Sequence, residues 1–360
     1  MRNGLCPLCG AEADGILQLQ FSAKMKLPTQ LSVRHCTVDN FLFTTPGRQE
    51  DYNEYYASIA NDSCHAELSG DNQRSPVSKL QKKHLVRALG SFFERERKVL
   101  DFGCGEGCLL VELASDFPTS NFLGFDPSPA AQTGSKKAAA LGLDNVSISG
   151  SKKIAENGPY DLVIASHVVE HLIDLDLLEL LNAHLADEGL LYLEVPNANQ
   201  YTSHERREFL YYFDRLHVNH FTPQSLARLC ANYGLGYLKH FEYAFPYRDG
   251  GEYPALGMLF KKRKPAVQLP SPSIIEVANR YILNEQLRAK LIATQFDGYE
   301  GLLVWGAGDN FFRSLTSGGP LAGRRNMIVL DRRPQDITIE GQTYKTEEPL
   351  RAFDVIPGRW

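Results

Sequence analysis

From about residue 78 to residue 245 the chain alternates two apolar patterns. Short uninterrupted runs, Val99 to Phe102, Asn121 to Phe125, Tyr160 to Ala165 and Leu190 to Val195, have the length and the β-branched or aromatic content of buried strands. Between them lie amphipathic stretches, of which Lys79 to Phe93 is the longest and predicts a helix ahead of the first strand. Strands interleaved with helices predict an α/β fold built on a doubly wound parallel sheet. Residues 1 to about 75 read differently: they are turn-rich and cysteine-bearing, and they close on the polar stretch Ser69 to Ser75. Beyond the sheet, the basic run Lys261 to Lys264 with Pro265, Pro270 and Pro272 reads as a solvated tether. Pro272 to Thr294 then has helical spacing, Leu302 to Gly308 repeats a strand entering a glycine turn, and the strand Met327 to Asp331 ends in an acid. This predicts a second, smaller βαβ unit, with one more helix before Trp360. The expected division is 1–76, 77–260, a linker at 261–272, and a shortened unit at 273–360.

A chain of 360 residues exceeds the size at which one core usually stops growing, which agrees with several units. Its 43% hydrophobic and 22% charged residues exclude disorder, collagen and coiled coil. A net charge of -5 offers no global attraction for phosphate backbones or anionic lipid, so neither nucleic acid nor a membrane is an expected partner. Met1 to Gly10 is polar where a secretion signal needs an apolar core, and no run approaches the ~18 apolar residues of a membrane span. A cytoplasmic protein is expected. Seven cysteines, unevenly spaced, are too few for a disulfide framework and point to a metal or to packing.

Candidate chemistry begins at Val99-Leu100-Asp101-Phe102-Gly103-Cys104-Gly105-Glu106-Gly107, a strand entering three alternating glycines. Glycines there let the backbone turn tightly and approach a ligand. The next strand ends at Asp126, near the ~20-residue offset at which an acid takes ribose hydroxyls. A dinucleotide fingerprint needs glycine three residues after Gly105, but Cys108 stands there and Gly107 comes one position early, which disfavours a pyrophosphate.

With that spacing the segment resembles the first motif of the class I S-adenosylmethionine-dependent methyltransferases. The resemblance extends over Val99 to about Asn199, through Asn145 to Ser151 and Tyr160 to Leu172. It implies that Gly103, Cys104, Gly105 and Gly107 hold the methionine part of S-adenosylmethionine, that Asp101 supports its ammonium group, and that Asp126 with Pro127 takes the ribose. Ser151 stands where the family often places an acid facing adenine, and Ser166 and His167 complete the implied cofactor set.

At the front, Cys6-Pro7-Leu8-Cys9-Gly10 has the spacing of half a zinc site, and Cys36-Thr37-Val38-Asp39, with His35 alongside, offers the other half. The sugar C-methyltransferases carry a four-cysteine zinc domain ahead of the methyltransferase domain, and Arg34 to Pro46 is similar to its second hairpin. Asp39 replaces the fourth cysteine. Zinc accepts a carboxylate, so Cys6, Cys9, Cys36 and Asp39 are the expected ligands of a structural zinc, with His35 or His65 as substitutes. The alternative is a degenerate knuckle of free thiols. Cys64, Cys104, Cys108 and Cys230 lack partner spacing and read as small packing residues.

Two further groups of histidines stand out. In Asp214-Arg215-Leu216-His217-Val218-Asn219-His220, His217 aligns with a histidine of the sugar C-methyltransferases, while Leu216 and Asp214 replace the glutamate and tyrosine expected beside it. His217 and His220 are candidate general bases; the alternative is a turn-capping role ahead of a helix starting at Thr222-Pro223. The missing glutamate weakens the case for transfer to carbon and favours a hydroxyl or amine. His167, Glu170 and His171 fall at i, i+3 and i+4, one face of a helix leaving the fourth strand. That trio could ligate a metal, and a small-RNA 3′-end methyltransferase family has a similar arrangement; without a basic surface, packing at the cofactor pocket is the favoured reading. In the C-terminal unit, which resembles the Rossmann-like domain of the sugar C-methyltransferases, Asn310, Arg332 and Arg333 are expected near a diphosphate if one binds.

The expected function is therefore methyl transfer from S-adenosylmethionine to a small acceptor, a nucleotide-linked sugar or polysaccharide precursor, at carbon or oxygen. The alternatives are an NAD-dependent sugar-modifying oxidoreductase and a non-catalytic zinc-knuckle adaptor.

Overall fold

Each patterned region of the sequence builds its own sheet in a computed structural model of the chain. Described are residues 4–58 apart from 24 and 46, 76–262 apart from 152, 154–156, 205, 248 and 249, and 269–349 apart from 333, 335, 340 and 341. The stretch Ser69 to Ser75, Cys64, His65, Arg333, half of the expected tether and the helix expected before Trp360 lie outside the described residues.

The front strands β1 (Asp14–Gln20), β2 (Gln30–Cys36) and β3 (Phe41–Thr44) pair antiparallel and are followed by helix α1 (Gln49–Ser58). The middle region runs through α2 (Pro76–Leu89), β4 (Lys98–Phe102), α3 (Cys108–Asp116), β5 (Asn121–Phe125), α4 (Ala130–Ala140), β6 (Val146–Ser149), β7 (Tyr160–Ser166), α5 (Leu177–His184) and β8 (Leu185–Pro196). It continues with the two-residue β9 (Asn219–His220), α6 (Pro223–Asn232), β10 (Leu235–Pro246) and β11 (Glu252–Lys262). Seven strands form one sheet in the order β10-β11-β8-β7-β4-β5-β6. The pairs among β6, β5, β4, β7 and β8 are parallel, and β11 alone runs against its neighbours. This is the doubly wound α/β sheet the sequence predicts, with one reversed strand near its edge. The chain changes winding direction between β4 and β7, and the crevice outside the carboxyl ends of such strands is where ligands bind.

The third sheet follows α7 (Ile274–Thr294) and comprises β12 (Leu302–Trp305), β13 (Met327–Leu330), β14 (Ile337–Ile339) and β15 (Gln342–Glu347) in the order β12-β13-β15-β14, with α8 (Asp309–Leu315) between its first two strands. The hairpin β14–β15 has no counterpart in the sequence reading, because its polar alternation, Gln342 to Glu347, carries only Tyr344 as a large apolar residue.

The units are interlocked. Strand β9 leaves the middle region and pairs with β3, setting His220 opposite Leu42 and Asn219 opposite Phe43. Cys6, Leu8 and Phe41 accordingly share one apolar cluster with Val163, Leu193 and Phe221. A buried arginine joins all three units. Arg215, 1% exposed, donates Nε and Nη2 to the Asp309 carboxylate at 3.1 and 2.7 Å and Nη1 to the Ser22 carbonyl at 2.8 Å. Removing one partner of a buried pair leaves the other charge uncompensated, so Arg215→Met should cost about 3–5 kcal/mol. Chemical unfolding with fluorescence detection would show it as an earlier transition; an unchanged midpoint would mean that the three units do not depend on this junction.

Strand β11 extends to Lys262, whose Nζ donates to the Leu185 carbonyl at 2.5 Å, so the first two residues of the basic run belong to the sheet. Among the described residues no helix is long and apolar enough to cross a membrane.

Candidate active site

The cofactor-type turn forms as its glycines require. Gly103, Gly105 and Gly107 all have positive φ, at 78°, 54° and 68°. A side chain at Gly103 would meet Val168 Cγ2 at 2.5 Å and one at Gly107 would meet Ile148 Cδ1 at 2.3 Å, whereas Gly105 faces open space. The Gly105 amide donates to Asp126 Oδ2 at 2.8 Å, and Asp126 Oδ1 accepts from the Ser128 amide and hydroxyl at 2.9 and 2.6 Å. The acid at the end of β5 is thus fixed across the glycine loop from β4. Pro127 follows it at the same strand end, and Ser151 is exposed beyond β6.

Negative charge gathers here. Asp101 is buried, and burial together with the charges of Asp126 and Glu194 pushes its carboxyl up to about 8. Glu194, fully buried on β8, accepts from Gln81 Nε2 at 2.6 Å, Ser166 Oγ at 3.0 Å, the Tyr243 hydroxyl at 2.5 Å and the Tyr192 hydroxyl. A site that crowds three carboxylates asks for a cation, and S-adenosylmethionine carries both a sulfonium and an ammonium group. Sequence reasoning missed Glu194; its signal was an acid inside the apolar run Leu190-Leu191-Tyr192-Leu193-Glu194-Val195.

The segment after β7 is not the expected helix. His167 takes φ +54°, only Val169–His171 form a single 3-10 turn, and α5 begins at Leu177. His167, Glu170 and His171 therefore do not share a helical face. His167 bridges two acids instead: Nδ1 lies 3.1 Å from Glu170 Oε1 and Nε2 lies 3.4 Å from Glu194 Oε1. Burial alone would depress its pKa, but the bonds to Glu170 and Glu194 outweigh it and raise it to about 10. A cationic His167 between two buried carboxylates ties the β7 end to the β8 end.

His217 joins Glu170 and His171 in a cluster whose ligating atoms all lie within 4.8 Å of one another. Three bonds hold the β9 approach against the turn: the Val218 amide donates to the Glu170 carbonyl at 2.8 Å, and Asn219 Nδ2 donates to the Val169 and Leu172 carbonyls at 2.9 and 2.8 Å. Asp214 accepts the Leu216 and His217 amides on Oδ1 at 2.6 and 2.8 Å and sets Oδ2 3.4 Å from His217 Nδ1. Val168, one residue from this turn, packs on the Gly103 loop, so the cluster borders the cofactor loop.

His220 lies outside the cluster, and its expected part as a second base is corrected. It is fully buried in β9, its Nδ1 lies 3.1 Å from the Tyr201 hydroxyl, and burial pushes its pKa down to about 3. Such a ring stays neutral and closes the sheet between front and middle units.

The four front residues converge. Cys6, Cys9, Cys36 and Asp39 present one ligand atom each within 4.8 Å, with Cys9 Sγ 3.7 Å from Cys36 Sγ and Cys6 Sγ 3.5 Å from Asp39 Oδ2. A tetrahedral zinc with bonds of about 2.3 Å to sulfur and about 2.0 Å to oxygen has S–S edges near ~3.8 Å and S–O edges near ~3.5 Å. The donors thus fit zinc. The Leu8 and Asp39 amides point at Cys6 and Cys36 Sγ, both at 3.4 Å, which supports thiolate charge. His35 lies outside the cluster. Cys104 and Cys108 flank the glycine loop, and Cys230 is buried in α6.

In the C-terminal unit Asp331 Oδ2 accepts the Ala307 amide at 2.9 Å, repeating the bond between Asp126 and its glycine turn. Asn310 lines a cavity of about 370 Å³ with Arg207, Arg288 and Trp305, and Arg332 is exposed at the end of β13 without lining it.

Fold and site together make the middle of the chain similar to the S-adenosylmethionine-dependent methyltransferase domains. Residues 75–240 match a family model described as a methyltransferase domain. Among curated proteins the chain is 33% identical over 108 residues to trans-aconitate 2-methyltransferase of Deinococcus radiodurans, covering 30% of this chain and 41% of that protein. It is 36% identical over 72 residues to release factor glutamine methyltransferase of Rhodospirillum rubrum, covering 19% of this chain and 22% of that protein. It is 26% identical over 172 residues to tRNA (guanine-N(7)-)-methyltransferase of Christiangramia forsetii, covering 42% and 77%. The chain thus spans less than half the length of the first two relatives. The acceptors in their names differ in kind.

Proposed function

We propose that the protein transfers a methyl group from S-adenosylmethionine to a small-molecule acceptor whose reacting group rests against Glu170, His171 and His217. The observation that carries this reading is the adjacency of that cluster to the glycine loop, through Val168 on Gly103. Direct displacement needs an acceptor held in line with the methyl–sulfur bond and help in losing its proton. Asp101, the glycine loop and Asp126 hold the cofactor; the cluster activates the acceptor, with His217 as its expected proton-handling member. The resemblance to the sugar C-methyltransferases supports a nucleotide-linked sugar or polysaccharide precursor. Leu216 in place of their glutamate favours a hydroxyl over a carbon. A structural zinc held by Cys6, Cys9, Cys36 and Asp39 braces the front unit.

The test is a mass-spectrometric screen of keto and non-keto nucleotide-linked sugars incubated with the protein and S-adenosylmethionine. A gain of one methyl on a hydroxyl-bearing acceptor is expected. His217→Ala should lower that turnover about 10²–10⁴-fold while S-adenosylhomocysteine still binds. Retained turnover in this variant would leave His217 a turn residue, and binding of NADH in place of S-adenosylhomocysteine would return the oxidoreductase reading.

A further inference from the structure

The cluster at the end of β7 has the composition and the outer-shell order of a metal site. Its three members come from two segments: Glu170 and His171 from the 3-10 turn, His217 from the approach to β9. The His171 imidazole has one nitrogen committed outward: Nδ1 lies 3.0 Å from the Leu216 carbonyl, which fixes it as the protonated nitrogen and leaves Nε2 as an acceptor. His217 Nδ1 makes no hydrogen bond but stands 3.4 Å from Asp214 Oδ2, with the carboxylate behind the ring. This is how ligating histidines are oriented by a carbonyl or carboxylate behind them. Glu170 is fully buried, and its Oε2 has no hydrogen-bond partner. His171 Nε2 stands 3.8 Å from Glu170 Oε1, beyond hydrogen-bond reach, so no proton bridges the two. Ligand atoms bound to one metal at about 2.0–2.2 Å each lie about 3–4 Å apart, and small rotations of the three side chains reach that spacing.

We propose that Glu170, His171 and His217 hold a divalent cation. Two histidines and one carboxylate leave coordination positions open, and the donor set suits zinc, manganese, cobalt or ferrous iron. His167 is not a ligand: its nitrogens face Glu170 and Glu194 and hold the carboxylate side of the site. The open positions border the cofactor loop, where an acceptor hydroxyl can bind the cation. There the cation takes the part His217 would otherwise play as a base, His217 being a ligand: the O–H ionises, the proton leaves to solvent, the oxygen forms a bond to the methyl carbon, and the methyl–sulfur bond breaks with its electron pair retained on sulfur. The use of the cation in this way rests on the methyl-transfer reading; its binding does not.

The test uses Mn²⁺ as the probe, because an N/O site accepts it while the thiolate-rich front cluster favours softer metals. Electron paramagnetic resonance titration of the full chain should show one bound Mn²⁺ equivalent. Glu170→Gln and His171→Asn should weaken it at least about 100-fold, and Asp214→Asn, which removes only the orienting carboxylate, about 10–100-fold. S-adenosylhomocysteine binding reports whether each variant is folded. No Mn²⁺ or Co²⁺ bound by folded wild-type protein, or unchanged binding in folded Glu170→Gln, overturns the cation. Methyl transfer that survives complete chelation with no cation bound would overturn the cation's part in the reaction and leave the methyltransferase reading standing. A bound cation with no acceptor methylated would overturn that reading and leave the site.

Discussion

With the structural zinc proposed for Cys6, Cys9, Cys36 and Asp39, Cys36→Ser should release that metal and lower the melting temperature by on the order of 10 °C. The size of the effect follows from where the cluster sits. Cys6 and Cys36 are 2% and 0% exposed and belong to the same apolar cluster as Phe221, Leu226 and Leu229 of the middle unit. The knuckle is also docked on α6: Asn232 Nδ2 donates to the Leu8 carbonyl at 3.0 Å, and Arg228 Nε lies 3.5 Å from Asp39 Oδ1. Losing the metal therefore loosens the face on which β3 and β9 pair, as well as a loop. Burial pushes the Cys9 thiol up to about 11 and Cys6 higher still, so a cation is what would draw these thiols into their charged form. Elemental analysis of freshly purified protein should give one zinc per chain fewer in Cys36→Ser than in the wild type. Cys230→Ser, at a buried cysteine outside the cluster, should keep its zinc. Wild-type protein that carries no zinc after purification without chelators would leave the four residues a degenerate knuckle.

How much of this was legible in the sequence depended on distance along the chain. The β4 turn and the acid after β5 were readable because their chemistry is local: glycine is required where φ is positive, and the strand end fixes where Asp126 falls. The capped start of α6 was equally local, with Thr222 accepting from the Ser225 amide at 3.2 Å ahead of Pro223. The convergence of Cys6, Cys9, Cys36 and Asp39 was readable because each half is a short spacing, although strands β1 and β2 lie between the halves. What the sequence hid was non-local. Two residues, Asn219 and His220, form a strand only because β3 is waiting for them, and no periodicity can announce a two-residue strand. The break after β7 was hidden for another reason. A left-handed histidine is rare, and the pattern His167, Glu170, His171 imitates a helical face that His167 φ +54° prevents. Because the chain turns there, Glu170 and His171 meet His217, a partner that spacing along one helix could not supply.

Binding of S-adenosylmethionine should strengthen as pH rises from about 6 to about 7.5, by up to about tenfold per unit, and Asp101→Asn should abolish that slope. In the free protein the Asp101 carboxyl has its pKa pushed up to about 8 by burial and by the charges of Asp126 and Glu194. At pH 7 roughly nine-tenths of it is therefore protonated, whereas an unperturbed aspartate would be ionised. The resemblance places the cofactor's ammonium group against this carboxylate, and that contact favours the charged form. Binding must then expel a proton, and a reaction that releases a proton gains affinity as pH rises until the free carboxyl is itself ionised. The sign is opposite to that expected if Asp101 were an ordinary low-pKa acid, for which affinity would be flat across this range. Calorimetry in two buffers of different ionisation enthalpy gives the proton count directly: nearly one released in the wild type at pH 6.5 and none in Asp101→Asn. The variant keeps the shape of the side chain but carries no charge, so at pH 8 its affinity should be at least about tenfold weaker, in line with the loss of a charge-assisted hydrogen bond of about 1.5–3 kcal/mol. A flat wild-type profile would place the ammonium group away from Asp101. The burden of neutralising it would then fall on Glu194, whose carboxylate is already held at about 2, against the cost of burial, by His167, Tyr192 and Tyr243.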